Sequence, residues 1–111
     1  MKIEEIRVGN YFIDTTFVTN PKIKQITADD LLTIIKDVKN GFPIQLKYVK
    51  LEEYWFTHFG FEFESYPDSY VKKDVIIRKN YLDDFMFNLT FKIEYVHQLQ
   101  NLFFSLKNQD L

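Results

Sequence analysis

No cysteine occurs in the 111 residues, which excludes disulfides and thiolate chemistry. Glycine and proline are scarce, three of each, and scattered. Neither a P-loop nor a G-x-G-x-x-G phosphate cradle can be built from isolated glycines. No low-complexity linker and no internal repeat interrupts the chain, so a single domain spanning residues 1–111 is expected. No apolar run approaches the ~20 residues of a membrane span. The opening Met1-Lys2-Ile3-Glu4-Glu5 lacks the apolar stretch of a signal peptide. A cytoplasmic protein without membrane contact is the expectation. An excess of charge of one sign is missing too. The net charge is −2, so nothing in the overall balance points to nucleic acid or to an anionic membrane.

What the chain holds in excess is aromatic. Twelve Phe, seven Tyr and one Trp make up 18% of it. Large rings let a small domain bury much area with few residues. Some of them, left outside, would form a sticky face for a partner.

The pattern predicts a mixed fold. Ile3 to Ile13 reads as a turn feeding a strand, with Gly9-Asn10 at a bend. Tyr11 to Val18 is rich in aromatic and β-branched residues and reads as strand, as does Ile23 to Ile26. Thr27 is a good helix N-cap with Asp29 and Asp30 in the first turn. Ala28, Leu31, Leu32, Ile35 and Val38 make the expected buried stripe, and Asn40-Gly41 with Pro43 stops the helix. A second helix is expected over Leu51 to Phe59, ended by Gly60. Phe61 to Tyr66 alternates as a half-buried strand. Tyr70 to Arg78 reads as one strand, and Phe85 to Phe91 as another. The C-terminal helix runs from about His97 to Lys107, with Val96, Leu99, Leu102, Phe103 and Leu106 as its apolar stripe. The architecture is α+β: a small, mostly antiparallel sheet of four to six strands with two or three packed helices, the C-terminal one closing the core.

Three stretches go further. They are Glu94-Tyr95-Val96-His97-Gln98-Leu99-Gln100-Asn101-Leu102-Phe103-Phe104-Ser105-Leu106; Ile6-Arg7-Val8-Gly9-Asn10-Tyr11; and Pro43-Ile44-Gln45-Leu46 followed by Glu53, Trp55 and Phe59-Gly60-Phe61. In this order they resemble a group of small uncharacterised proteins of Bacteroidota-type bacteria and their phages or prophages. That group carries "KYVHQLQNLYFAL", "LRIGNYV" and "PIPLTEEWLLKFGF". The chain departs from the last pattern. Lys47 to Leu51 looks like an insertion, and Thr57 and His58 stand where Leu and Lys are expected. The resemblance implies a bacterial or phage origin and a cytoplasmic setting. It implies no activity.

No catalytic, cofactor-binding or metal-ligating set stands out, and no cofactor is expected. His97, Gln98, Gln100 and Asn101 form the most notable polar cluster. Imidazole and amides could read a ligand's hydrogen-bonding edge, or could instead satisfy the helix entry and neighbouring backbone. His58 and His97 could form a metal or acid–base pair only if the fold brought them together. Asp83-Asp84, Glu52-Glu53 and Asp29-Asp30 lack the fixed offsets of a calcium loop. Lys72, Lys73, Arg78 and Lys79, with Tyr70 and Tyr81, interleave basic and aromatic groups as single-stranded nucleic-acid sites do. Lysines on strands are equally a guard against edge pairing. The first expectation is therefore a non-enzymatic interaction or accessory protein that binds a protein partner or itself. The alternatives are a nucleic-acid module built on the basic strand region and an enzyme working through His97 and a carboxylate.

Overall fold

Gly9, at a φ of 94°, takes a left-handed turn that few other residues adopt, and so feeds the chain into its first strand. The fully buried Asn10 holds that turn, its Oδ1 accepting from the Arg7 N–H at 2.8 Å. The computed structural model describes residues 1–16, 19–65 and 67–111. It divides into two compact units, Met1–Val49 and Lys50–Leu111. The chain is an α+β protein, with three α-helices and two antiparallel sheets among the described residues.

In the first unit a 3-10 turn at Ile3–Glu5 precedes β1 (Tyr11–Asp14), β2 (Lys22–Gln25), α1 (Ala28–Lys39) and β3 (Leu46–Lys47). The sheet order is β2-β1-β3. Strand β1 is shorter than expected, because the Asp14 carboxylate accepts from the Thr16 N–H at 2.9 Å and turns the chain. Phe17 and Val18, the end of the expected strand, lie outside the described residues. Helix α1 starts as its sequence demands. The Thr27 hydroxyl accepts from the Asp30 N–H, and the Asp30 carboxylate accepts from the Thr27 N–H in return. Lys24 reaches the same carboxylate at 2.7 Å. Lys24 first, and Thr27 second, hold the Asp30 carboxyl at a pKa of about 2. The buried side of α1 differs from the expected stripe. Leu31 and Ile34 pack against Ile6, Phe12 and Ile26, while Leu32 and Val38 are exposed.

In the second unit α2 (Glu53–His58) leads into a five-stranded meander: β4 (Glu62–Glu64), β5 (Ser69–Lys72), β6 (Val75–Lys79), β7 (Phe85–Phe87) and β8 (Phe91–Ile93). Its strand number falls in the expected range. Two of the expected strands are hairpins instead. Tyr70 to Arg78 folds back at Lys73-Asp74, both at positive φ (46° and 68°), and Phe85 to Phe91 folds back beyond Asn88, at 55°. Neither turn carries the glycine that marks such a reversal in sequence. Tyr66 lies outside the described residues. Gly60, at φ 81°, ends α2, as its position after Phe59 predicts.

Helix α3 (Val96–Lys107) closes this unit's core with Val96, Leu99 and Phe103. Its buried arc is rotated from the expected stripe. It takes in His97 and Gln100 and leaves Leu106 47% exposed. Phe56 sits at the centre. It stacks on Tyr70 with centroids 4.2 Å apart and meets Phe61 edge-on and Phe85 at 5.0 Å. Edge and offset contacts of this kind add to the area that the rings bury.

Candidate interaction surface

Strand pairing sorts the side chains of β4–β8 onto two faces, since directly opposed residues share a side. Tyr70, Ile77 and Phe87 lie in one row, and Lys79, Phe85 and Ile93 in the next. Tyr70, Val75, Ile77, Phe85 and Ile93 are all buried, so this is the inner face. The edge residues of its first row, Phe63 and Phe91, are half exposed. The alternate residues form the outer face: Glu64, Ser69, Arg78, Met86 and Lys92 in one row, and Glu62, Val71 and Ile76 in another.

The outer face holds a depression of about 880 Å³, lined among others by Ile76, Arg78, Tyr81, Met86 and Leu89. Two of its rim residues are very open for their type: Tyr81 is 93% exposed and Leu89 91%. The rim is not a loose end. Asn80 Oδ1 accepts from the Leu82 N–H at 2.9 Å and the Asp84 N–H at 3.0 Å, and the Asn80 N–H donates to the Asp84 carbonyl at 2.9 Å. Asp83, at φ 62°, completes that loop. Tyr81 and Leu82 are thus held outward by a hydrogen-bonded frame.

The basic and aromatic residues singled out from sequence do not form one patch. Tyr70 is buried on the inner face against Phe56. Its burial, and then Glu53 nearby, push its hydroxyl above the usual tyrosine range. Lys72 donates from Nζ to the Phe59 carbonyl at 2.6 Å and lies 5.5 Å from the Phe103 ring centroid. It closes the end of α2 as a capping cation does. Burial, and then Lys73, lower its pKa. Lys79 points inward as well, 2.8 Å from Glu53 and over the Phe85 ring. Its hydrogen bond to Glu53 raises the lysine and lowers the glutamate. Lys73 sits at the β5–β6 turn and bonds Gln109. Of the six, Arg78 and Tyr81 reach the depression as free-facing groups.

The polar cluster on α3 is dispersed by depth. His97 is 2% exposed and Gln100 4%. Both are engaged within the protein, as is the half-buried Asn101. Gln98 serves the helix start, its Oε1 accepting from the Glu94 N–H at 2.9 Å and the Tyr95 N–H at 3.1 Å. His97 stacks near Tyr95 and lines none of the three main depressions. His58 lies in the Tyr54–Trp55–Phe59 ring cluster. Among the described residues no group of three or more His, Asp or Glu side chains could hold a metal ion, and no helix is long and apolar enough to cross a membrane.

Ile76, Met86 and Leu89 escaped the sequence reading. Their signal was present in part: Ile76 alternates with the core residues Val75 and Ile77 and so had to face outward. Comparison with protein-family models, with curated proteins and with solved structures finds no match to this chain.

Proposed function

We propose that the chain is a non-enzymatic interaction protein whose working surface is the outer face of β4–β8. A bacterial accessory factor of phage or mobile-element origin, working in the cytoplasm, fits the sequence resemblance. The observation that carries the reading is the pairing of Tyr81 and Leu89, each more than nine-tenths exposed, around an apolar depression. Exposed apolar side chains held by an ordered frame are characteristic of interface anchors. A nucleic-acid reading draws less support, since Lys72 and Lys79 are spent on internal contacts.

The test is in-cell photo-crosslinking with benzoylphenylalanine placed at Tyr81, and at exposed Thr57 as control. A discrete adduct from position 81 and none from 57 supports the reading. No adduct from either, together with a concentration-independent monomer mass by light scattering, overturns it.

A further inference from the structure

The depression on the outer face carries a charge signature. Its lining residues include Arg78 and Lys79 and no carboxylate, although the chain has 16 Asp and Glu. Lys79 holds its ammonium on Glu53. Lys92, two strands from Arg78 on the same row, lies between Asp84 at 3.4 Å and Glu94 at 3.6 Å. Glu64, at the other end of that row, is also two strands from Arg78, roughly 10 Å at ordinary strand spacing. Among the described residues Arg78 makes no ion pair, so one forked, permanently charged donor group stands amid Ile76, Met86, Tyr81 and Leu89.

We infer that this face docks an extended peptide segment of another protein that carries a carboxylate side chain between apolar ones, the carboxylate on Arg78. The inference rests on the proposed function above and names its partner class. A guanidinium pairs with a carboxylate through two parallel hydrogen bonds, and does so best where neighbouring apolar groups exclude water. The groove along β6 from Ile76 to Asn80 spans about 13 Å, the length of about four extended residues. Side chains alternate along such a segment, so apolar groups flanking one acid would meet Ile76 or Leu89 on one side and Met86 or Tyr81 on the other. Nucleic acid fits less well, because its affinity comes from many phosphate contacts and, among the described residues, this face offers one unneutralised cation.

The experiment is an NMR titration of the full, isotope-labelled chain with three capped peptides, acetyl-Leu-Val-Glu-Leu-Val-amide and its Gln and Lys versions, and with oligothymidine. The Glu peptide is expected to shift the backbone signals of Ile76, Arg78, Met86 and Leu89. It should bind about tenfold more tightly than the Gln version, the discrimination of one charge-assisted contact. The exposed Arg78→Gln variant should keep its fold and lose that discrimination. Equal binding of the Glu and Gln peptides at this face overturns the carboxylate assignment and leaves the interaction reading standing. Shifts at this face from oligothymidine alone overturn both. Shifts that appear on concentrating the protein without peptide assign the face to a second copy of the chain and overturn the inference. No shift from any probe overturns it as well.

Discussion

The two faces of β4–β8 are made by the same strands and have opposite fates. On the inner face Tyr70, Val75, Ile77, Phe85 and Ile93 are buried, Tyr70 and Phe85 against Phe56 of α2. On the outer face, one residue along, Ile76 stays 38% exposed beside Arg78 and Met86. Period-two alternation would put polar groups outside on a sheet with one solvated face. Here part of the outside is apolar, and Tyr81, its most exposed member, stands on the hydrogen-bonded Asn80–Asp84 loop. The difference teaches that the aromatic excess has two uses. Among the described residues eight Phe, Tyr and Trp rings are buried, Phe12, Phe56 and Phe103 most completely, while Phe42, Tyr54, Phe63, Tyr81 and Phe91 stay exposed.

The largest effect should come from the inner face. Phe56 is fully buried and touches Phe61, Tyr70 and Phe85. Phe56→Ala should cost about 3–5 kcal/mol, read as a fall in the urea midpoint. A loss under about 1 kcal/mol would mean that the inner face is not the packed one. Lys72 comes next. Lys72→Met keeps the stem but leaves the Phe59 carbonyl without its donor, and should cost about 1–3 kcal/mol. A nucleic-acid role for Lys72 would instead leave stability unchanged and reduce binding.

Much of this architecture was legible in the residues. The Thr27–Asp30 start of α1, the Gly60 stop of α2, and the placing of Val96, Leu99 and Phe103 on the buried side of α3 all follow from local chemistry that works at short range. The hairpins at Lys73-Asp74 and beyond Asn88 were not legible, because the turns use residues with no special preference for positive φ beyond that of Asp and Asn. The depth of His97 and Gln100 was hidden for another reason. Which side of a helix is covered depends on the groups that pack against it, as Phe61 packs on Phe103 of α3, and these are distant in sequence. The same holds for Lys72 and Lys79. Interleaved with aromatics, they read as a ligand surface, yet each spends its charge inward on a group some dozen or more residues away. The face itself was half visible: alternation placed Ile76 and Arg78 outward, but only the fold brings Leu89 and Tyr81 around them.

The β5–β6 turn offers a smaller and opposite effect. Asp74 holds a φ of 68°, a conformation that glycine reaches without a Cβ clash. Asp74→Gly should raise stability by about 0.5–1 kcal/mol, net of the entropy that glycine adds to the unfolded chain. The measurement is the same urea midpoint. A loss of stability would show that Asp74 makes a contact worth more than its backbone conformation costs, and the turn would then belong with the load on the inner face.

The smallest expected effect on stability carries the most information. Tyr81→Ser and Leu89→Ser remove two large apolar side chains that are more than 90% exposed. Since neither is buried and the Asn80 frame uses backbone groups and the Asn80 amide, each change should move the unfolding free energy by no more than about 0.5 kcal/mol. The double variant should therefore unfold like the parent while losing crosslinking and peptide shifts at this face. A drop beyond about 1 kcal/mol would mean that the two side chains belong to packed structure, and the outer face would cease to be distinct from the inner one. Unchanged stability with unchanged peptide shifts would keep the two faces distinct but remove Tyr81 and Leu89 from the anchor set, leaving Ile76, Arg78 and Met86 to account for recognition alone.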